Sequence, residues 1–429
     1  MGGNHPTNLG GHNKTLIILL KLLILSQYFW PENFRINDLA TGLKARGHDV
    51  TVLTGMPNYP GGKLFDGYSI FKPARETYKG IPVSRVPLAR RGKGRGWQLA
   101  LNYASFMLSG SILGPWRCRG DYDCILVYEP SPITIGLPAI AMKKKTGAPV
   151  LFWVQDLWPE SLSATGAVRS EWVLNRVKTL VRFIYRHCDR ILVQSEAFKH
   201  PIVSMGVDPR RLEYYPNSAE SLYKPVRLPA DASEREQIPD GFKVMFAGNI
   251  GAAQDFPTIL ETAERLQGVN DIHFIILGDG RRFSWLKSEV VARGLKKNFH
   301  LLGRYPVTQM PRFFALADAL LVTLKRDPIF EMTIPSKVQS YMACARPVVA
   351  GLDGEGARVV TKSGGGLVAP TEAPAKLAQA IKTLYEMPAD QRSKMGASGL
   401  KYFQENFERH MLLDRLESIM AGTVKEVSG

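Results

Sequence analysis

Residues 331–351, "EMTIPSKVQSYMACARPVVAG", change from a polar loop to a helical pattern and then to an apolar run. An apolar run at 319–324 precedes them, a helical segment begins near Pro335, and 347–350 has the composition of a further strand. This succession is typical of parallel α/β sheets. Pro suits the first turn of a helix and Ser caps its N-terminus, so Pro335 and Ser336 predict a helix start whose N–H groups and dipole favour an anion.

The same alternation of apolar runs and helical patterns fills the chain. A helix is predicted at 36–46, and an amphipathic helix at 402–420 closes the chain. The apolar runs predict strands at 22–26, 50–54, 124–128, 150–154, 190–193, 243–247, 272–277, 300–302, 319–324, 347–350 and 366–368.

The length of 429 residues exceeds what one ordinary core organises, so two domains are expected. We predict an α/β fold of two doubly wound parallel-sheet domains facing a central cleft. The expected parts are a flexible lead at 1–14, a first domain at 15–213, a second at 214–400, and a C-terminal helical segment at 401–429 that packs back on the first domain.

The charge is uneven along the chain. Residues 1–210 hold 27 Lys and Arg against 14 Asp and Glu, a net charge of +13, within a total of +16. This excess indicates an anionic partner such as nucleic acid, anionic lipid or a phosphate-bearing substrate, or else a solvated basic surface. Four cysteines without a C-x-x-C pair suit a reducing compartment. The apolar run at 15–25 is too short to span a bilayer, so a cytoplasmic protein is predicted.

Loops that follow predicted strands carry the candidate residues, because ligands of open α/β sheets lie outside the carboxyl ends of the strands. In the first half these are Glu32, Asn33 and Arg35, and then Asp156 with the aromatic Trp158 beside it. A carboxylate there can hold a substrate hydroxyl or accept a proton, although the same groups can instead cap helices or satisfy local backbone.

In the second half, glycine turns at Gly248 and Gly278 allow close approach of backbone to a ligand. Lys325, Arg326 and Lys337 add cations near the helix start at Pro335, where a phosphate or diphosphate is the expected guest. The Asp121-Tyr122-Asp123 triplet precedes a strand, which is the wrong end for a ligand, so it is not assigned to a metal.

Taken in order, the motifs resemble GT-B glycosyltransferases of family 4. The resemblance runs from about Leu22 to Leu416, and its nearest subgroup is that of bacterial O-antigen and colanic-acid transferases of fucosyl or N-acetylfucosaminyl type. The motifs that carry it are "LSQYFWPENFRINDLATGLKARGHDVTVLT", "QDLWPES", "GNIGAAQDF", "GDG" and "IPSKVQSYMACARPVVAGLDGEGARVV".

This resemblance implies a retaining, metal-independent transfer from a nucleotide-sugar, without a cofactor, to a polyprenyl-diphosphate-linked saccharide in surface polysaccharide (O-antigen or capsule) biosynthesis. The first domain would bind the acceptor and the second the donor. The implied residues are catalytic Asp156, Glu331 and Lys337; donor-binding Gly248, Asn249, Gln254, Gly278, Arg304, Lys325, Pro335, Ser336, Ser340, Glu355, Gly356 and Ala357; and acceptor-binding Glu32, Asn33, Arg35 and Trp158.

The chain departs from the family pattern at the donor site. The family has two Glu separated by seven residues, and the second Glu holds the ribose. One alignment puts Met332 and Ser340 at these positions, and the alternative puts Glu331 and Gln339 there. Asn249 and Gln254 stand where the family has Arg and Lys.

Residues 90–117 combine a cationic loop, two tryptophans and an apolar segment, which suits docking on an anionic membrane surface. A core helix with a basic loop is the alternative. Docking would make the protein peripheral on the inner face of the cell membrane. Two other functions stay open: a nucleotide-sugar 2-epimerase and a non-catalytic nucleotide-binding protein. No nucleic-acid partner is expected, since no recognised motif for one occurs.

Overall fold

The computed structural model describes residues 18–69, 75–164, 168 and 170–429. Its strands form two sheets. The strands of the first sheet are β1 (Lys21–Leu25), β2 (Asp49–Gly55), β3 (Arg75–Tyr78), β4 (Ile81–Val86), β5 (Cys124–Glu129), β6 (Val150–Val154), β7 (Arg190–Val193) and β8 (Leu212–Tyr214). Those of the second are β9 (Phe242–Ala247), β10 (Ile272–Leu277), β11 (Phe299–Gly303), β12 (Ala319–Thr323), β13 (Val348–Gly351) and β14 (Gly366–Ala369).

Helices follow most of these strands. They are α1 (Arg35–Ala45), α2 (Gly96–Arg117), α3 (Gly136–Thr146), α4 (Glu160–Ala164), α5 (Glu171–His187), α6 (Lys199–Ser204), α7 (Ser233–Glu236), α8 (Phe256–Arg265), α9 (Phe283–Ala292), α10 (Met310–Phe314), α11 (Pro328–Glu331), α12 (Ser336–Ala343), α13 (Gly354–Ser363), α14 (Pro374–Glu386), α15 (Ala389–Asn406) and α16 (Arg409–Ser428).

The first sheet has the order β3-β4-β2-β1-β5-β6-β7-β8, and β3 alone is antiparallel to its neighbour among the described pairs. β1 lies at its centre, paired with β2 on one side and β5 on the other, and Leu22 to Leu25 are fully buried. The chain order reverses beside β1. The loops after β1 and β5 therefore occupy the position where open sheets bind ligands.

The second sheet has the order β11-β10-β9-β12-β13-β14 and is parallel throughout. Apolar side chains on each of its faces form a separate buried cluster. The chain order reverses beside β9, which pairs with β10 and β12. The loops that follow β9, β10 and β12 are thus the ones this sheet presents at its switch point.

The described residues divide into two compact units by their contacts. One unit takes its residues from 1–127, 137–150 and 416–429, and the other from 128–136 and 151–415. The two sheets are separated in sequence by the segment between Tyr214 and Phe242. The domain limits at 15–213, 214–400 and 401–429 remain predictions, and the lead at 1–14 lies outside the described residues.

The eleven predicted strands are all present, with each end shifted by at most one residue. Three strands of the described chain were missed. β3 and β4 form a hairpin whose sequence carries a charged residue at Arg75 and a proline at Pro82, which hides the apolar pattern. β8 spans only three residues, which is too short for a periodic signal.

The predicted single helix at 402–420 is wrong. The chain leaves helical geometry at Phe407, whose φ is −133°, and so divides this region between α15 and α16. Phe407 is fully buried and packs edge-on against Tyr402, with the ring centroids 5.8 Å apart. Glu408 then accepts the backbone N–H of Met411 at 2.9 Å and so supports the start of α16.

The end of α16 belongs to the first unit and is held there by a charged cluster. Glu417 accepts from Nη1 of Arg46 at 2.9 Å and lies 3.0 Å from Nε2 of His48. Because Nδ1 of His48 accepts the backbone N–H of Leu20 at 3.2 Å, its Nε2 carries the proton and donates to Glu417. Both carboxylate oxygens of this mostly buried Glu are therefore satisfied.

Candidate active site

Helix α12 begins at the switch point of the second sheet. Pro335 occupies the N-cap position and Ser336 is the first helical residue, so the predicted capping role of Ser336 is wrong. Pro335 makes no side-chain hydrogen bond to the N–H groups of this first turn. An uncapped helix start with its positive dipole end is a suitable place for an anionic ligand.

Lys337 is the cation at this helix start. Its Nζ lies 4.4 Å from the centre of the Phe246 ring, and a Cβ atom on Gly248 would be 2.6 Å from its Cε. No carboxylate of the described residues forms an ion pair with it. Burial lowers the pKa of Lys337 to about 8, since less water reaches the ammonium. A largely buried ammonium without a counter-charge among the described residues attracts an anion.

Glycines let the loops after β9 and β10 approach each other. Gly248 and Gly278 have φ values of +140° and +148°, and a Cβ atom on Gly278 would lie 1.9 Å from the carbonyl oxygen of Gly248. These two turns and Lys337 are therefore brought together beside β9.

The start of α13 lies next to the start of α12. A Cβ atom on Gly356 would be 3.0 Å from Cδ of Pro335, and one on Gly354, whose φ is +60°, would be 2.0 Å from the carbonyl oxygen of Glu331. Ala357 follows in the first turns of α13 and is partly exposed. Two helix N-termini thus adjoin, and each adds positive potential to the same rim.

Other predicted donor residues already have partners. Glu355 accepts from Nη2 and Nε of Arg358 at 2.7 and 3.1 Å. The hydroxyl of Ser340 donates to the carbonyl of Ser336 at 3.1 Å, inside its own helix. The predicted contacts of Glu355 with a donor sugar and of Ser340 with a ribose stay predictions. Each side chain would have to bind the ligand in addition to its present partner.

Some polar residues of the neighbouring loops are exposed, and others form hydrogen bonds that hold the loops together. Asn249 and Arg304 are exposed, whereas Oε1 of Gln254 accepts the backbone N–H of Gly251 at 3.2 Å. The backbone N–H of Lys325 donates to the carbonyl of Ala253 at 2.9 Å, which holds the β12 loop beside the β9 loop. Arg326 donates to the hydroxyl and carbonyl oxygens of Thr371 at 3.4 and 3.3 Å, so its role toward an anion stays a prediction.

Asp156 follows β6 and is largely buried. Its Oδ1 accepts the hydroxyl of Ser161. Burial raises the pKa of Asp156, and the hydrogen bond from Ser161 opposes that rise. Helix α4, which follows these residues, contacts α11, whose last residue is Glu331. The second unit thus brings the loop of Asp156 close to the loop of Glu331.

Two features of this region were not predicted. Glu129 ends the apolar strand β5, is fully buried, and has a pKa raised well above its usual range by burial and then by the charge of Asp156. Asn217 donates through Nδ2 to Oε1 of Gln155 at 2.9 Å and of Gln194 at 2.7 Å. Glu129 ends a strand and Asn217 lies three residues after one, so position near a strand end is the signal that could have found them.

Gln339 on α12 joins the same amide network. Its Nε2 donates to the carbonyl of Asn217 at 2.7 Å, and the side chain is 1% exposed. The alternative alignment that placed Gln339 on a ribose is therefore not supported.

In the first unit, Glu32 is 2% exposed and organises the loop after β1. Its carboxylate accepts the backbone N–H groups of Tyr59, Asn58 and Phe29 at 2.7, 2.8 and 3.3 Å. Burial raises the pKa of Glu32 to about 7 in spite of these bonds. A direct contact of Glu32 with an acceptor is not supported. Asn33 is exposed and Arg35 is partly exposed.

Comparison with protein families matches two models to this chain. A "Glycosyl transferase 4-like domain" matches residues 33–218, and "Glycosyl transferases group 1" matches residues 241–387. The two segments are therefore glycosyltransferase domains, and the chain is a glycosyltransferase.

Curated relatives of this glycosyltransferase resemble it at moderate identity. A protein of Escherichia coli (strain K12) named as the colanic acid biosynthesis glycosyl transferase WcaI is 25% identical over 336 residues, which cover 76% of this chain and 81% of that protein. The 2-deoxystreptamine glucosyltransferase of Streptomyces kanamyceticus is 25% identical over 56% of this chain and 59% of its own length.

Solved structures show that the fold of this glycosyltransferase is GT-B, with two parallel-sheet α/β domains. Anabaena HepE in complex with UDP has a TM-score of 0.67 at 16% identity and covers 94% of this chain and 100% of its own. Sucrose-phosphate synthase of Thermosynechococcus elongatus has a TM-score of 0.69 at 15% identity, with 94% and 98% covered.

Replacing Lys337 by Met tests whether the ammonium is held at a cost in stability. Below pH 8 this lysine is charged in both the folded and the unfolded chain, so its full desolvation cost is present. Between pH 8 and about 10.5 the folded protein loses the proton first, and the cost disappears. We expect Lys337→Met to raise the free energy of unfolding by about 1–2 kcal/mol at pH 7, with the gain vanishing near pH 10.5.

Denaturant titrations at pH 7 and pH 10.5 measure this difference. Lys394→Met is the control, because Lys394 is 79% exposed and lies on an exposed helix surface. Its effect should stay within about 0.5 kcal/mol. A loss of stability in Lys337→Met at pH 7 would contradict the assignment.

Proposed function

We propose that this glycosyltransferase moves a sugar, with retention and without a metal, from a nucleotide-sugar to a saccharide carried on a polyprenyl diphosphate lipid. The reaction would serve surface polysaccharide synthesis at the inner face of the cell membrane, with a donor of fucosyl or N-acetylfucosaminyl type. The observation that carries the proposal is the unpaired Lys337 ammonium at the starts of α12 and α13.

The donor assignment rests on charge and position. Lys337 and two helix N-termini supply positive potential at the switch point of the second sheet, where a diphosphate is the fitting guest. Two solved structures of similar fold contain a nucleotide or a nucleotide-sugar. HepE is in complex with UDP, and an Escherichia coli trehalose-6-phosphate structure contains UDP-2-fluoro glucose.

In the proposed step, the bond between the anomeric carbon and the donor diphosphate breaks, and its electron pair passes to the diphosphate. The acceptor oxygen forms the new bond on the same face, and its proton passes to a diphosphate oxygen. Lys337 and the helix N-termini stabilise the leaving diphosphate in advance. Asp156 orients the acceptor hydroxyl, and Glu331 lies beside the donor sugar.

The acceptor assignment draws on the relative named for colanic acid biosynthesis and on helix α2. Residues 97–116 contain no charged side chain, and basic residues stand before and after them. Trp97, Leu101, Leu108, Ile112 and Trp116 are all more than half exposed and recur at helical spacing on one side.

Such a helix lies in a membrane interface more readily than in water, since its stripe is apolar and its ends are cationic. Among the described residues, no helix is both long enough and apolar enough to cross a bilayer.

Nucleotide binding tests the donor site. In a thermal-shift panel of UDP, GDP, dTDP, CMP and NAD, we expect one nucleoside diphosphate to raise the Tm selectively. Lys337→Met should weaken the binding of that nucleoside diphosphate at least about tenfold. Wild-type affinity should fall as the pH rises above about 8, because the free Lys337 loses its proton there.

Absence of a shift with every diphosphate, or unchanged affinity in Lys337→Met, would contradict the donor assignment. Incubation of the matching nucleotide-sugar with a diphosphate-linked acceptor then tests transfer. Release of an epimerised free sugar without any acceptor product would contradict a transferase reaction.

Helix α2 gives a separate prediction. The double variant Leu108→Asn/Ile112→Asn should weaken binding to phosphatidylglycerol vesicles at least about tenfold, since two exposed apolar side chains no longer enter the interface. Sedimentation with vesicles measures it. Trp172→Ser, which changes an equally exposed tryptophan on α5, is the control and should bind as the wild type does. Unchanged vesicle binding in the double variant would contradict the docking of α2.

A further inference from the structure

Aromatic rings cluster at the carboxyl ends of β1 and β2 in the first unit. Tyr28 stacks on Phe34 with ring centroids 4.9 Å apart, and Tyr59 lies 5.6 Å from Tyr28 and 5.2 Å from Phe34. Tyr59 is 36% exposed, so one face of the cluster is open to solvent. Glu32, Asn33 and Arg35 of this loop were predicted to bind the acceptor, whereas the aromatic rings were not predicted as site residues.

Arg91 lies over these rings. Its Cζ is 5.2 Å from the centre of the Tyr59 ring, and its Nη1 donates to the hydroxyl of Tyr28 at 2.7 Å and reaches that of Tyr103 at 3.5 Å. Among the described residues, no carboxylate forms an ion pair with Arg91, and no atom accepts a hydrogen bond from its Nε or Nη2. A partly exposed guanidinium thus keeps two donors for a ligand.

The position of Arg91 is fixed by buried amides. Its backbone N–H donates to Oδ1 of Asn58 at 3.2 Å, and the backbone N–H of Asn58 is held by Glu32. Asn102 on α2, which is fully buried, donates to the same Oδ1 at 3.3 Å and accepts from Nε2 of Gln27 at 2.8 Å. The loops of β1 and β2 and the segment of Arg91 are thus tied to α2.

We infer that Arg91, with Tyr28, Tyr59 and Tyr103, forms the subsite for the diphosphate of the lipid-linked acceptor. The inference rests on the proposed function and gives the acceptor a specific contact. Nε and Nη2 of a guanidinium form a planar fork that matches two phosphate oxygens. Tyr103 adds a hydroxyl, and Arg91 stands five residues before the first residue of α2, the helix proposed to lie at the membrane.

Lipid phosphate could also come from bulk phospholipid, and a direct test separates the two sources. Farnesyl diphosphate, a short soluble polyprenyl diphosphate, is titrated into the full chain by calorimetry. We expect Arg91→Gln to weaken its binding at least about tenfold and Arg91→Lys to have an intermediate effect. UDP affinity, measured in parallel, should not change in either variant.

Arg176→Gln is the matched control. Arg176 also lies 5.2 Å from an aromatic ring, that of Trp172, but on α5. It should bind farnesyl diphosphate as the wild type does. Equal losses in Arg91→Gln and Arg176→Gln, or an unchanged affinity in Arg91→Lys together with Arg91→Gln, would overturn the subsite. If Arg91→Gln fails to fold, the Arg91→Lys measurement decides alone, and wild-type affinity then counts against the inference.

Vesicles distinguish the lipid sources. Arg91→Gln should lose binding to phosphatidylglycerol vesicles that contain undecaprenyl diphosphate, and lose much less on the same vesicles without it. Equal losses on both would assign Arg91 to bulk headgroups and overturn the proposal.

The outcomes also separate this inference from the proposed function. Arg91-dependent binding of farnesyl diphosphate without sugar transfer would support the subsite and contradict the proposed transfer reaction. Sugar transfer with an unchanged acceptor KM in Arg91→Gln would support the reaction and contradict the subsite.

Discussion

The site depends on one buried cation. Lys337 is held against Phe246 and beneath Gly248 without a described carboxylate to neutralise it, while the starts of α12 and α13 add positive potential beside it. Folding alone would favour a neutral side chain at this position, because desolvating an ammonium costs free energy. Its retention makes sense when an anion completes the site. The parallel second sheet supplies the geometry, since its switch point brings the three loops together.

In the first sheet, the polar side chains have mainly a structural role. Polar side chains at its strand ends bond mainly to one another and to backbone, as Asn217 does with Gln155 and Gln194, and as Glu32 does with the loop at Asn58 and Tyr59. These bonds hold Asp156 and the aromatic cluster in place. We expect function there from groups that keep free donors after these bonds are made, and Arg91 is such a group.

Sequence patterns predicted the strands well, because buried parallel strands are continuous apolar runs bounded by turns. They failed where burial depends on tertiary contacts. Nothing local shows that Phe407 turns inward and divides α15 from α16, or that Pro82 lies within β4. Lys337 and the glycine turns were candidates because they lie in the turns and the helix start that follow strands. Glu129 and Gln339 were missed or misassigned, since burial decides what their polar groups contact.

A crystal structure with the nucleoside diphosphate that stabilises the protein would test whether Lys337 and the start of α12 hold the donor diphosphate. We expect a phosphate oxygen within about 3.2 Å of Nζ of Lys337 and of an N–H group in the first turn of α12. A diphosphate bound elsewhere, with Lys337 still packed on Phe246 and without a phosphate contact, would contradict it.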